Sequence, residues 1–172
     1  MHKGLIQIYT GAGKGKTTAA LGLALRAAGA GLKVYLGQFI KKGGYSEIKA
    51  LRWFRPKITV CQYGAGCFVK GKPLPADIQR ARNGLDKIAA ALQSGKYDVV
   101  IADEFFCALK AGLFTKKDAL ALMDKKTSAV ELVLTGRDAP REMMQRADLV
   151  TEMKKIRHPF DCGITARKGI EF

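Results

Sequence analysis

The 172-residue sequence predicts an α/β fold with a mainly parallel β-sheet. Three observations lead there. Short apolar runs of strand character alternate with segments at helical spacing. The runs lack strict polar alternation, as strands buried on both faces do. Three polar motifs, Thr10–Thr18, Asp103-Glu104 and Thr135-Gly136-Arg137, each follow one of these runs. Parallel sheets take their ligands beyond the carboxyl ends of their strands.

The first run, Leu5 to Tyr9, ends in a Gly-rich turn. An Ala- and Leu-rich helix is expected from Thr17 to about Ala30, punctuated by Gly29 and Gly31. Lys33 to Ile40 reads as the second strand, and Lys41 to Tyr45 as a basic loop whose lysines, Lys41 and Lys42, are solvated charges. Ser46 is placed to cap a short helix through Trp53. Ile58 to Tyr63 is the third strand, and Gly64 to Pro75 an irregular loop. From Ala76 to Leu92, Ile78, Ala81, Leu85, Ile88, Ala89 and Leu92 share one helical face. Tyr97 to Ala102 is a continuous apolar strand ending on Asp103-Glu104. Thr115 caps a helix through about Asp124, Val130 to Thr135 is a strand, and a helix near Pro140–Arg146 precedes a last strand near Leu149–Met153.

Length suits one domain, residues 1–172, with its own core. A hydrophobic fraction of 48% with 26% charged residues is that of a soluble globular protein and argues against disorder. No apolar run approaches the roughly 18 residues of a membrane span. Met1-His2-Lys3-Gly4 leads straight into the first strand, so no signal peptide is expected and the location is read as cytoplasmic. Cys61, Cys67, Cys107 and Cys162 form no C-x-x-C and are read as reduced thiols, not zinc ligands. The formal net charge is +15. Residues 1–76 hold 13 Lys and Arg against one acid, Glu47, so this half is built to meet anions. Nucleic acid, phosphate-bearing small molecules and acidic proteins all fit that charge.

Thr10-Gly11-Ala12-Gly13-Lys14-Gly15-Lys16-Thr17-Thr18 is a P-loop whose first position is Thr in place of Gly. The glycines free the backbone to turn N–H groups toward phosphate oxygens, and the following helix directs its positive end to the same place. Lys16 reaches the phosphates, Lys14 adds a second cation, and Thr17 offers a hydroxyl to Mg²⁺. Asp103 and Glu104, after an apolar strand, are placed to hold the Mg²⁺ directly or through water. Together these predict a three-layer P-loop NTPase (RecA-like) fold that binds a nucleoside triphosphate. They do not fix the reaction.

The loop with its non-Gly first position, Gln38-Phe39-Ile40-Lys41, Asp103-Glu104, Leu134-Thr135-Gly136-Arg137 and the tail His158-Pro159-Phe160-Asp161-Cys162-Gly163 to Lys168-Gly169-Ile170-Glu171-Phe172 resemble the P-loop corrinoid adenosyltransferases over about the whole chain. The resemblance implies transfer of the 5′-deoxyadenosyl group of ATP to Co(I) of a corrinoid, with release of triphosphate. It implies Mg²⁺, and ATP reversed so that its γ-phosphate lies deep in the loop. Gly11, Ala12, Gly13, Lys14, Gly15, Lys16, Thr17, Thr18, Gln38 and Arg137 become the nucleotide-binding set. Thr17, Asp103 and Glu104 become the metal set, and Lys16, Thr17, Glu104 and Phe68 the catalytic set. Making Co(I) requires removal of the corrinoid's lower axial ligand, for which some members use Phe and Trp after the third strand. The matching Gly66-Cys67-Phe68-Val69 keeps one aromatic, Phe68, and Trp53 is a second candidate wall. The N-terminal lid of family members is expected to be absent or differently supplied, since strand one starts almost at Met1. A homodimer and an acidic flavodoxin-like electron donor are the partners implied. A RecA-like ATPase on nucleic acid, a small-molecule kinase and a nucleotide switch remain the alternatives, separated by their products.

Overall fold

The computed structural model of the chain describes residues 3–66 and 71–171. Within them lie β1 (Ile6–Thr10), β2 (Val34–Gln38), β3 (Ile58–Gln62), β4 (Val99–Asp103), β5 (Glu131–Thr135) and β6 (Leu149–Glu152). They form one sheet in the order β3-β2-β4-β5-β1-β6, each neighbouring pair parallel. The helices are α1 (Lys16–Gly29), α2 (Ser46–Leu51), α3 (Pro75–Gln93), α4 (Phe105–Lys110), α5 (Lys116–Asp124) and α6 (Arg141–Arg146). None among the described residues is long and apolar enough to cross a membrane.

Successive side chains on a strand point to opposite faces, and here both faces are covered. Val34, Leu36, Val99, Ile101 and Val133 pack under α1 and α2, where Ala20, Ala24 and Ala27 let the α1 backbone approach closely. Tyr35, Val100, Leu132 and Leu134 face the other way, into a larger core with α3, α4 and α5. Asp77 accepts from the Leu74 N–H at the head of α3, where Pro75 is the first helical residue. The expected cap of α5 is present: Thr115 Oγ1 accepts from the Asp118 N–H, and the Asp118 carboxylate accepts from the Thr115 N–H.

Two local expectations change. Tyr45, not Ser46, occupies the N-cap of α2, and the helix tightens to a 3-10 turn over Arg52–Phe54 before β3. α4 follows β4 after one residue. Phe105, Phe106 and Ala108 there are buried and Lys110 at the end is the one charged residue, so this six-residue helix is too short and too apolar for a sequence pattern to reveal.

β5 lies between the P-loop strand β1 and the acid-bearing β4. At its end Gly136 has φ +141°, and a Cβ there would stand 2.8 Å from both Cβ and N of Phe106. Gly136→Ala therefore combines strain with a backbone clash. We expect it to lower the urea unfolding free energy by about 2–3 kcal/mol.

Candidate functional site

Parallel pairing sets the ends of adjacent strands side by side. Gln38 on β2 is in register with both Gln62 on β3 and Asp103 on β4. A polar ladder results: Gln62 Nε2 donates to Gln38 Oε1, and Gln38 Nε2 donates to Asp103 Oδ2, each at 3.0 Å. Asp103 is fully buried. Its Oδ1 accepts from Thr17 Oγ1 at 2.9 Å and from Thr135 Oγ1 at 2.7 Å. Lys41 Nζ adds a fourth donor to Oδ2 at 3.4 Å. Burying a carboxylate costs least when hydrogen bonds and a cation surround it, and this one has both. The first helical turn of α1, the end of β5 and the loop after β2 are thereby tied to one side chain.

The chain turns sharply after Asp103. Glu104 adopts φ +57° at the N-cap of α4, and its N–H donates to Thr135 Oγ1 at 3.0 Å. Its carboxylate stays partly exposed, 3.6 Å from Lys41 Nζ. Thr17 Oγ1, Glu104 and Lys41 thus converge at the mouth of the P-loop.

Within the loop, Gly11 has φ +99° and a Cβ there would lie 2.6 Å from the Met153 carbonyl oxygen. The glycine-demanding conformation thus sits one residue after the usual first position. Thr10 is then free to use its side chain, and its Oγ1 accepts from the Ala139 N–H at 3.2 Å. Gly13 does not have a positive φ. Its small size instead admits the β6 exit segment, and its N–H donates to the Met153 carbonyl at 2.6 Å, not toward the mouth of the cradle. Gly15 is the N-cap of α1 at φ +119°. Lys16 Nζ donates to the carbonyls of Gly11 and Gly13 at 2.8 and 2.6 Å. Burial lowers the Lys16 pKa first, and the nearby Arg137 guanidinium lowers it further, against the pull of Glu104 and Asp103. A half-buried cation beside a second cation is a position that an anion stabilises.

Of the other expected residues, some face away from the cradle and some stand where the sequence placed them. Lys14 does not face the cradle: its Nζ donates to the Ile170 carbonyl and to Glu171, both at 3.0 Å. Gln38 is fully buried with both amide ends engaged, so it reaches a ligand only through Asp103. Ala12 and Thr18 are exposed beside the loop, and Arg137 is exposed at the end of β5. Trp53 is 86% exposed on the turn leading into the amino end of β3, the end of the sheet away from the P-loop. Phe68 lies outside the described residues. His158 has a structural contact, its Nδ1 accepting from the Phe160 N–H.

Three residues outside the expected binding, metal and catalytic sets join the site. Lys41, read as a solvated charge, is instead mostly buried against Asp103 and Glu104. Burial alone would lower its pKa, but Asp103, Glu104 and Glu47 together raise it, so it is a firm cation. Thr135 bridges Asp103 and the Glu104 N–H. Cys107, on the first turn of α4, has its thiol pushed up to about 12 by burial first and then by the charge of Glu104, and is neutral at physiological pH. Thr135 was marked by the motif at its strand end. Lys41 carried the weaker signal of a lysine three residues after Gln38, the last residue of β2.

Comparison with known proteins identifies the family. The family model for the ATP:corrinoid adenosyltransferase BtuR/CobO/CobP matches residues 2–172. The corrinoid adenosyltransferase of Pseudomonas aeruginosa is 34% identical over 172 residues, covering 99% of this chain and 85% of the relative. That of Escherichia coli K12 is 30% identical over 173 residues, covering 99% and 87%. Among solved structures, the RadB recombinase superposes with a TM-score of 0.51 at 14% identity, covering 91% of this chain and 77% of its own. That likeness shows the RecA-like P-loop fold and nothing of the recombinase's activity. Over its whole length, and with the P-loop, the Asp-Glu pair and the Thr-Gly-Arg turn brought to one end of a parallel sheet, the chain belongs to the ATP:corrinoid adenosyltransferases.

Proposed function

We propose a division of labour for the family's reaction, transfer of the 5′-deoxyadenosyl group of ATP to Co(I) of a corrinoid. The observation that carries it is the convergence of Lys16, Thr17 and Glu104 around the buried Asp103. The cobalt electron pair forms the bond to C5′, and the C5′–O bond breaks with its electrons passing to triphosphate, which leaves intact. Little proton transfer is asked of the protein. It has to hold C5′ in line and stabilise the charge on the leaving group. Lys16 and Arg137 supply positive charge at the triphosphate, and the α1 N-terminus supplies N–H donors. Gln38 acts at second hand, by fixing Asp103. Phe68 is proposed to press on the lower face of the corrinoid.

The donors fit Mg²⁺. Thr17 Oγ1 and the outward Glu104 carboxylate are hard oxygens, and the Lys41 ammonium already stands among them as a cation. No group of three or more His, Cys, Asp or Glu gathers among the described residues, so phosphates and water would supply the remaining ligands, as is usual for Mg²⁺. When bound, Mg²⁺ neutralises charge on the leaving triphosphate. Asp103 is fully buried and its Oδ1 is taken by Thr17 and Thr135, whereas Glu104 is partly exposed, so we assign direct contact to Thr17 and Glu104 and give Asp103 the task of orienting Thr17.

A homodimer is supported by the uncovered β6 edge, where Leu149 and Val150 are exposed. An acidic electron donor is supported by the basic first half of the sequence. Cytoplasmic location is supported by the free thiols Cys61, Cys107 and Cys162.

Incubated with chemically reduced cobalamin, ATP and Mg²⁺, the protein should convert the Co(I) absorbance to that of a Co–C product. Phosphorus NMR should show one intact triphosphate per turnover. Unchanged Co(I) with ADP formed would contradict the reading. Lys16→Ala should weaken ATP binding by about 10- to 150-fold, the equivalent of about 1.5–3 kcal/mol for a charge-assisted contact, measured by calorimetry. Thr135→Val removes the bridge between Asp103 and the Glu104 N–H. It should cost about 1.5–3 kcal/mol of unfolding free energy and should also lower kcat.

A further inference from the structure

The end of β2 is shaped to deliver one side chain. The Lys41 N–H donates to the Phe39 carbonyl at 2.5 Å, closing a three-residue turn. Its central residue, Ile40, has φ +62°, a conformation that a β-branched side chain adopts only under constraint. The constraint comes from the exit of β3: a Cβ on Gly64 would lie 1.9 Å from the Ile40 carbonyl oxygen, so that loop presses directly on the turn. The strained turn folds Lys41 back over the strand ends. Its Nζ stands 3.2 Å from Thr17 Oγ1, 3.4 Å from Asp103 Oδ2 and 3.6 Å from Glu104 Oε1, and 5.9 Å from the centre of the Tyr45 ring.

Thr17 Oγ1 and Glu104 Oε1 are the oxygens to which the divalent cation is assigned, and Asp103 Oδ2 stands beside them. A solvated loop lysine would not need a strained backbone to reach them. Two adjacent carboxylates without a cation repel one another, and an ammonium at this distance relieves that repulsion. The same ammonium repels a second cation arriving alone. A nucleotide triphosphate changes the balance, because its negative charge can hold both the metal and the lysine.

We propose that Lys41 is the resident counter-ion of the metal position. It neutralises Asp103 and Glu104 before ligands arrive, keeps free divalent metal out, and yields the position when metal enters with the nucleotide. Lys41 is then a gate on the order of loading, acting on the metal and not on the reacting carbon. The inference rests on the assignment of Thr17 and Glu104 to the metal.

The test is Mn²⁺ binding followed by electron paramagnetic resonance, on the full chain with and without ATP and without corrinoid. In nucleotide-free protein, Lys41→Met should bind Mn²⁺ at least about tenfold more tightly than wild type, while Lys41→Arg, which keeps the charge, should stay within about threefold of it. With ATP present the difference between Lys41→Met and wild type should shrink or reverse. Equal Mn²⁺ affinities of wild type and Lys41→Met without nucleotide would overturn the proposal, as would Lys41→Arg behaving like Lys41→Met. Glu104→Gln separates the two levels of inference. If it leaves Mn²⁺ binding in the ATP complex unchanged, the metal assignment itself fails. If it weakens that binding while Lys41→Met has no effect in free protein, only the role of Lys41 falls. Should Lys41→Met not fold, reductive ¹³C-methylation of the wild type gives a second measurement. The Lys41 signal, assigned by its loss in Lys41→Arg, should shift on adding Mg²⁺ with ATP and hold still with Mg²⁺ alone. A shift with Mg²⁺ alone would contradict the proposal.

Discussion

A fully buried carboxylate, Asp103, is the constraint on which the site depends. An unpaired charge at that depth would cost several kcal/mol, so the surrounding elements must supply its partners. They do so from four directions: Thr17 from α1, Thr135 from β5, Gln38 from β2 and Lys41 from the loop that follows β2. That demand holds Thr17 and Lys41 at the mouth of the P-loop, with Gln38 and Thr135 buried behind them. The strand order makes the arrangement possible. With β5 placed between β1 and β4, the Thr135 hydroxyl reaches Asp103 Oδ1, the oxygen that Thr17 also uses.

Much of this architecture was legible in the sequence, because its determinants are local. The Gly-rich loop between an apolar run and an Ala-rich helix marks a P-loop by chemistry alone. Asp103-Glu104 and Thr135-Gly136-Arg137 follow apolar runs that end where strands end. The cap of α5 is written in Thr115 and Asp118, three residues apart. What was not legible depends on partners far along the chain. Lys14 looks like a phosphate ligand until Glu171, 157 residues away, is found holding it. Lys41 looks like a loop charge until the turn at Ile40 is known, and that turn is set by Gly64 across the sheet. α4 is hidden because it is short and mostly apolar, which removes the periodicity that reveals a helix.

The net charge of +15 takes on a different meaning in this setting. Its concentration in residues 1–76 fits nucleic acid, smaller phosphate-bearing anions and acidic proteins alike. Lys16 and Lys41 stand at the P-loop end of the sheet, one folded onto the loop carbonyls and one against the acidic pair. Lys14 anchors the tail. The fold is shared with a recombinase, but at 14% identity that likeness carries the scaffold alone. Function is set by what stands at the strand ends, and there Lys16, Lys41, Asp103 and Glu104 gather.

The central claim is that Asp103 acts by holding Thr17 and not by touching ligand. A double-mutant cycle on ATP affinity in the presence of Mg²⁺ tests it most directly, using Asp103→Asn, Thr17→Val and the pair. If Asp103 works through Thr17, the double variant binds ATP no more weakly than the weaker single variant, and the coupling is about 1–2 kcal/mol. Additive losses in the double variant would contradict the account and make Asp103 an independent contact.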